Sequence, residues 1–412
     1  MFKTTAPNHF LRTSSLLASA IAATVLSMPS HAADVFTEAL KGGKAVIQIR
    51  PRLELVEQDT TTADNATALT VRSVLGYETA PIQGIKAYVE FEDIRAIVDN
   101  YNIPTVQPNV KYALVVDPEL TDVNQAYFSG YGAKLGRQKI VVDNARFIGD
   151  VAWRQNDQVF DALSYQSKEL APWLDLQVAY ATQVAMINGQ SGDIRLPLIN
   201  AKIKTPIGAN VSLFWAGLEG REKIGQLALQ ANVQTDRSRQ YASIHVDGKA
   251  DKVLYDVAYA QQQKYADGTK IAAPDADYYS VMLGYDFGKA KLSVQQESLE
   301  SGFATPLATL HAFNGWADKF INTPAAGLVD TNIKISGAVA GFNLAAALHR
   351  FESDAGSTHY GDEINLSAGR KLNPNTTGLI KLAHYQGGDD ATTPAVLKQD
   401  LSKLWLQIDY KF

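Results

Sequence analysis

The chain has 412 residues, a formal net charge of −5 at pH 7 and no cysteine, and 46% of its residues are hydrophobic. Without cysteine there are no disulfide bonds, so extensive hydrogen bonding and packing must hold a chain of this size together. Beyond the amino-terminal segment no unbroken apolar run reaches about 18 residues, which argues against membrane-spanning helices.

The amino-terminal segment has the three parts of a secretory signal peptide. Lys3 and Arg12 supply positive charge, residues 16–28 form a short apolar core, and a small-residue cleavage site follows. We therefore predict a signal peptide at residues 1–33, which is removed on export. Residues 34–412 contain no interdomain linker and are predicted to form a single domain.

From about residue 44 the chain consists of amphipathic segments with a period of two, which predicts β-strands. The first segment, residues 46–56, has one apolar and one polar face. The apolar face carries Ile47, Ile49, Leu53 and Leu55, and the polar face carries Gln48, Arg50, Arg52 and Glu54. Eighteen such segments can be counted, each near the ~10 residues that a tilted membrane strand needs. Because residues 220–240 also alternate, a neighbouring even number, 16 in particular, stays open.

The connections between these segments alternate between short and long. Short ones, such as Pro81–Gly84 and Pro206–Asn210, are followed by long ones, such as Val141–Asp157 and Ser301–Gly327. This asymmetry is typical of a bacterial outer-membrane barrel, with short periplasmic turns and long extracellular loops. We therefore predict an all-β fold, a transmembrane antiparallel β-barrel, in the outer membrane of a Gram-negative bacterium.

The last segment, residues 402–412, ends on an aromatic residue of its apolar face, Phe412. A soluble domain seldom leaves such a strand exposed, because it would offer an adhesive edge. In a barrel it closes the sheet against the first strand. Phe412 resembles the signal that the barrel assembly machinery recognises. The alternative is an edge strand of a soluble all-β domain.

Two motifs resemble the alginate export porin family. The first comprises Leu135-Gly136-Arg137-Gln138, Asp143, Arg146, Trp153-Arg154 and Phe160-Asp161, and the second is Phe313-Asn-Gly-Trp-Ala-Asp-Lys-Phe320 with Thr323-Pro324. The resemblance implies an 18-strand pore, lined by arginine, that passes an anionic polyuronate. The chain is shorter than expected for the alginate exporter itself.

If the apolar face meets lipid, the polar face lines the pore. The residues predicted to line the solute path are Arg50, Arg52, Arg72, Lys86, Arg137, Arg154, Lys202 and Lys204. Such a basic track would concentrate anions, and arginine grips carboxylates in a bidentate manner. Alternatively, lumen charges pair with each other, for example Arg50 or Arg52 with Glu54 or Glu90. Strict alternation from Leu135 would turn Arg137 towards lipid, so either a bulge re-aims it or it lies near a membrane interface.

Long loops supply the candidates for a constriction. These are Arg146 in the loop before residue 158, and Trp316, Asp318 and Lys319 in the loop at 301–327. The alternative reading of the second loop is a packed clasp in which Asp318 and Lys319 pair locally. The histidines are not at metal-ligand spacing, so neither a metal nor any other cofactor is assigned.

The sequence favours a passive channel for hydrophilic anionic solutes over an enzyme. No Gly-x-Ser-x-Gly element or plausible His–Ser pairing is present. The expected solute is an anionic saccharide or a small organic acid, the expected partners are outer-membrane lipid and the assembly machinery, and no nucleic acid is expected. Alternatives are an uptake porin for small organic acids or oligosaccharides, and a plugged structural or adhesin barrel.

Overall fold

The computed structural model describes residues 30–60, 62–104, 106–220, 238–266 and 274–412. Most of the predicted signal peptide lies outside these residues, as does most of the alternating stretch at 220–240. Within the described part of the chain, no helix is long and apolar enough to cross a membrane.

A helix, α1 (Ser30–Lys41), precedes the first strand. It ends at Lys41, whose charge complements the helix dipole, and Gly42 and Gly43 connect it to the barrel. The Ala80 amide donates to the Ala39 carbonyl at 2.9 Å. These contacts hold the carboxyl end of α1 against one end of the barrel.

The described residues form eighteen strands in one closed antiparallel sheet. The strands are β1 Lys44–Gln58, β2 Ala66–Glu78, β3 Lys86–Asn100, β4 Leu120–Gly130, β5 Ala133–Gln138, β6 Val159–Ala171, β7 Leu174–Ala185, β8 Ser191–Lys204, β9 Ala209–Gly220, β10 Arg239–Ala250, β11 Val253–Lys264, β12 Ala276–Asp286, β13 Ala290–Leu299, β14 Leu328–Val339, β15 Phe342–Glu352, β16 His359–Asn373, β17 Thr376–Gly387 and β18 Leu401–Lys411. Each strand pairs with its neighbours in the chain, and β18 pairs with β1, with Leu53 opposite Leu406. The prediction of an 18-strand barrel is confirmed.

Alternation places the apolar face of each strand on the outside. Leu75, Leu135 and Leu283, for example, are 61%, 60% and 60% exposed, although they are large and apolar. In water such a surface would be costly, whereas in lipid it is the favourable side of the sheet. The connections sort by length as predicted: two-residue turns such as 131–132 and 340–341 lie at one end of the barrel, and the long loops lie at the other.

Three of the long loops fold into the barrel and pack on one another. We name them loop A (101–119), loop B (139–158) and loop C (300–327), and together we call them the plug. The amide of Gly149 donates to the carbonyl of Leu307 at 2.9 Å, and that of Gln155 donates to the Asp117 carboxylate at 3.0 Å. The loops therefore pair by main-chain and side-chain hydrogen bonds, which satisfies polar backbone that would otherwise be buried.

The plug gives the barrel an apolar core on its loop side. Inward-facing Val56, Ala68, Phe160 and Leu196 are buried there against plug residues such as Ile148. The polar face of each strand was predicted to line the pore, whereas these inward-facing residues are apolar. The difference arises because the plug covers the upper inward positions, so that they pack like the interior of a soluble domain.

Candidate solute path through the barrel

Asp318 of loop C is the centre of an ionic network that joins the plug to the wall. Its Oδ2 accepts from Arg154 Nη2 at 3.0 Å and from Lys403 Nζ at 3.0 Å, and its Oδ1 lies 2.8 Å from His311 Nδ1. Arg154 also donates to Glu54 of β1 at 2.8 Å. One carboxylate therefore ties loop B, loop C and β18 together.

The pKa values of the two loop C residues follow from this setting. Burial, only partly opposed by Asp318, lowers the pKa of His311 well below its usual range. Burial would raise the pKa of Asp318, but His311, Lys403 and Arg154 hold it well below its usual range. Neutral His311 thus donates to an ionised Asp318.

Arg50 and Arg52 face the lumen as predicted, but their partners are not those considered from the sequence. Arg50 Nε lies 2.6 Å from Asp409 of β18. Arg52 donates to Gln407 at 2.8 Å, lies 3.6 Å from Asp117 of loop A, and stacks its guanidinium 4.3 Å from the ring centre of Trp153. The proposed pairing of these arginines with Glu54 or Glu90 is therefore wrong, because the plug and β18 supply nearer acceptors.

Arg72 and Arg146 are also buried and paired. Arg72 bonds to Glu92 of β3 and to Asp157 at the end of loop B. Arg146 lies 2.8 Å from Glu297 of β13 and donates to Asn314 of loop C at 3.2 Å. Both arginines therefore anchor the plug, and neither presents a free guanidinium to a solute.

The tip of loop C is fastened by wall carboxylates. Glu363 of β16 accepts from the amides of Trp316 and Ala317 at 2.5 and 3.0 Å. Gly315 has φ +83°, and a Cβ there would lie 2.5 Å from Glu363 Oε2. Glycine therefore satisfies both the left-handed backbone and the close approach of the carboxylate.

Lys319 does not pair with Asp318, so the predicted local pair is wrong. Its ammonium donates to the Val396 carbonyl at 3.0 Å and lies 5.2 Å from the ring centre of Tyr385. Burial and the nearby charge of Lys403 lower the pKa of Lys319 to about 8. The loop is nevertheless packed like a clasp: Trp316 and Ala317 bond to β16, and Lys319 bonds to the loop between β17 and β18.

The predicted lysines lie towards the short-turn end of the lumen. Lys86 lies 2.8 Å from Glu78, Lys204 lies 3.3 Å from Asp175, and Lys202 bridges Asp143 and Asp247. Asp143 and Asp247 also approach His245, forming a group whose ligand atoms lie within 4.8 Å of one another. Since the Lys202 ammonium bonds to both carboxylates, we assign no metal there.

This end of the lumen carries lysines besides Lys86, Lys202 and Lys204, and one of them, Lys334, is also placed on the lumen face by the sequence alternation alone. Alternation and register point further lysines inward: Lys44, Lys134, Lys249, Lys291, Lys334 and Lys411. Lys334, for instance, lies between Ile333 and Ile335, which are exposed outwards. With Lys86, Lys202 and Lys204 they make nine lysines, against six acids on the same faces, namely Glu78, Asp175, Asp247, Asp256, Asp286 and Asp409. The signal for these lysines in the sequence is the same strand alternation that places Arg50, Arg52 and Arg72 on the inner face.

Arg137 lies on the outer face of the barrel. It shares a face with Leu135, which is 60% exposed, and its register partner is Asp161. The two side chains form a bidentate pair at 2.8 and 3.0 Å. The outward turn that strict alternation predicts is thus what the structure has, and it takes Arg137 off the solute path.

Replacing Arg137 by leucine should destabilise the barrel without changing ion selectivity. The loss should be roughly 1 kcal/mol, because the pair with Asp161 is partly exposed. The midpoint of heat-modified mobility in gel electrophoresis would report stability, and the reversal potential in a planar bilayer would report selectivity. Arg137→Lys, which keeps the charge, is the control. A changed reversal potential with unchanged stability would contradict the outward placement.

A small cavity of about 60 Å³ lies where the plug loops meet. Its polar lining includes Arg154, Gln158, Asn188 and His311, and Met186 and Leu310 form part of its apolar lining. A cavity of this size has room for only a few water molecules, so the loops are closely packed where they meet.

No protein-family model matches the chain, and no curated protein matches it. Several solved structures do. OccAB3 of Acinetobacter baumannii is 13% identical and has a TM-score of 0.65, with 90% of this chain and 99% of that chain covered. OccAB2 of the same organism is 12% identical with a TM-score of 0.66, covering 91% and 99%. OpdO of Pseudomonas aeruginosa is 11% identical with a TM-score of 0.64, covering 92% and 99%.

The fold is that of the Occ and Opd structures. At this level of identity the likeness concerns the fold alone, across nearly the whole length of both chains. It gives no support to the alginate export family in particular, so that resemblance stays a prediction.

Proposed function

We propose that the chain is an outer-membrane channel that passively admits small hydrophilic solutes, with a preference for anions such as small organic acids. The observation that carries this proposal is the plug, which fills the loop side of the lumen and leaves only a small cavity between its loops. The lipid-suited outer face of the closed barrel supports a location in the outer membrane.

The plug favours small solutes over a polymer. Arg146, Arg154 and Asp318 join the loops to strands on different sides of the barrel through buried ion pairs. A polyuronate chain would need a continuous wide bore, and these contacts cross the lumen instead. Uptake of small organic acids is therefore the reading we favour over alginate export.

The lysines near the short turns support the anion preference. Lys86, Lys204 and Lys249 are paired with carboxylates, whereas Lys291 and Lys334 have no ion pair within the described residues. The wall of the barrel has a low dielectric constant, so its positive charges act strongly on the water-filled lumen and attract anions into it.

Charge reversal of lumen lysines should change the selectivity. The triple variant Lys44→Glu, Lys291→Glu, Lys334→Glu is expected to move the reversal potential in a salt gradient from anion towards cation preference. Lys398→Glu, on an exposed long loop, is the matched control and should leave it unchanged. A small aromatic carboxylate should reduce the ionic current of the unmodified channel, and a polyuronate should not. An unshifted reversal potential in the triple variant would contradict the proposal.

The second candidate is a structural barrel with a sealed lumen, which the same plug favours. A sealed barrel should give no conductance in a planar bilayer, whereas a channel should give stepwise increases in current as single molecules insert.

We also propose that the assembly machinery recognises β18. Phe412 and Ile47 exchange main-chain hydrogen bonds of 2.9 and 3.0 Å at the closing seam, which supports a role for this end of the chain in closure.

A further inference from the structure

The ammonium of Lys381 lies in a cage of tryptophan rings. Its Nζ is 3.7 Å from the ring centre of Trp316, 4.2 Å from that of Trp153 and 5.7 Å from that of Trp405. The fourth neighbour is His311, whose Nε2 lies 2.6 Å away. The side chain is only 7% exposed.

The cage is assembled from separate parts of the chain. Trp153 belongs to loop B, Trp316 and His311 belong to loop C, and Trp405 and Lys381 belong to the neighbouring wall strands β18 and β17. Trp153 stacks on His311 with ring centres 4.6 Å apart and meets Trp405 edge-on at 5.7 Å. A single wall lysine thus holds two plug loops at once.

The ammonium is held by ring faces and not by a carboxylate. Within the described residues Lys381 forms no ion pair with Asp or Glu; the carboxylate of Asp318 attracts its charge from farther away, and the guanidinium groups of Arg52 and Arg154 repel it. Buried ammonium is costly unless it finds compensation, and indole faces supply it most strongly of the aromatic rings. The attraction to Trp153 and Trp316 exists only while both loops are seated, so the lysine favours the seated arrangement of the plug over any displaced one.

We propose that Lys381 and the cage of Trp153, Trp316 and Trp405 form a latch that holds the plug closed. Loss of the cation or of the nearest ring weakens the attachment of loops B and C to β17, so that they leave the lumen more often, while the barrel wall stays paired. The latch concerns how the plug is held, which does not depend on the proposed channel function. Only the bilayer recordings described below require that the protein conduct.

Limited trypsin digestion of the folded protein tests the latch without any need for conduction. Cleavage after Lys319 and Arg154 reports whether loops C and B leave the lumen. Lys381→Met keeps most of the volume and removes the charge, and it should be cleaved at these sites at least several times faster than the unmodified protein. Lys334→Met, a lumen lysine outside the cage, should be cleaved at the unmodified rate.

Heat-modified mobility shows whether Lys381→Met folds. If it does not, substitutions of Trp316, which leave the lysine in place, still test the latch. Trp316→Phe should show intermediate cleavage and Trp316→Leu fast cleavage, following the strength of the cation–ring attraction. In the double variant with Lys381→Met, Trp316→Leu should add little, because the two changes remove one interaction. Equal cleavage rates in folded Lys381→Met, Lys334→Met and unmodified protein, or full additivity in the double variant, would overturn the latch. Bilayer recordings then separate the two proposals: fast cleavage without conductance supports the latch and rejects the channel.

Discussion

Replacing Asp318 by asparagine should lower the stability of the folded protein by roughly 3–5 kcal/mol, the range found when one partner of a buried ion pair is removed. Asp318 is the acceptor shared by Arg154 and Lys403, and both of these cations are buried. An amide oxygen can still accept a hydrogen bond, but it no longer offsets their charge. Denaturant-induced unfolding in lipid vesicles, followed by tryptophan fluorescence, measures the change.

Asp389→Asn, at an exposed position in the loop between β17 and β18, is the control for this experiment. It removes a carboxylate that takes part in no such network and should change the stability by less than about 0.5 kcal/mol. If the two variants unfold at the same denaturant concentration, Asp318 is not the centre of the plug's attachment.

The stabilisation that Asp318 provides depends on pH through the pKa of its carboxyl group. The folded pKa lies well below the ordinary value of 3.8. The stabilisation is therefore complete above that ordinary value, and it is lost only as the pH falls through the lower folded pKa. Across neutral and mildly acidic pH the plug should stay attached through this residue.

Replacing Gly315 by alanine should cost more than the same change at any unobstructed glycine turn. A Cβ at Gly315 would lie 2.5 Å from Glu363 Oε2, and the backbone is left-handed at φ +83°. We expect roughly 1–3 kcal/mol from the overlap and about 1 kcal/mol from the backbone. Heat-modified mobility and fluorescence-detected unfolding would measure the total.

Gly356→Ala separates these two contributions. Gly356 has nearly the same φ, +88°, but nothing lies within 4 Å of its Cβ position. It should therefore show the backbone cost alone. In the Gly315→Ala background, Glu363→Asp should recover part of the loss, since the shorter side chain withdraws the carboxylate. Equal losses in Gly315→Ala and Gly356→Ala would show that the Glu363 contact is not tight.

The barrel could be predicted from the sequence because its pattern is local. The alternation in a segment such as residues 46–56 gives both the strand and the direction of each side chain, and the alternating lengths of the connections give the topology. Arg50, Arg52 and Arg72 were therefore correctly assigned to the inward face. For Arg137 the two signals disagreed: the motif at 135–138 placed it on the solute path, and the alternation placed it on the outer face. The structure agrees with the alternation.

The plug could not be predicted in this way, because its contacts join distant parts of the chain. Arg146 meets Glu297 across 151 positions, and Lys403 meets Asp318 across 85. No short-range pattern distinguishes a long loop that folds inwards from one that extends into solvent. The motif at 313–320 indicated that loop C is special, but its partners were visible only in three dimensions.

The closing seam between β1 and β18 is crossed on the inside by loop B. Arg50 of β1 binds Asp409 of β18 and also donates to the carbonyls of Ala152 and Arg154 in loop B. Folding should therefore be cooperative at this point: loop B has its full set of partners only after the two ends of the sheet have met. Once loop B is seated, it opposes the separation of β1 from β18. The sheet should therefore open more readily between other pairs of strands than between these two.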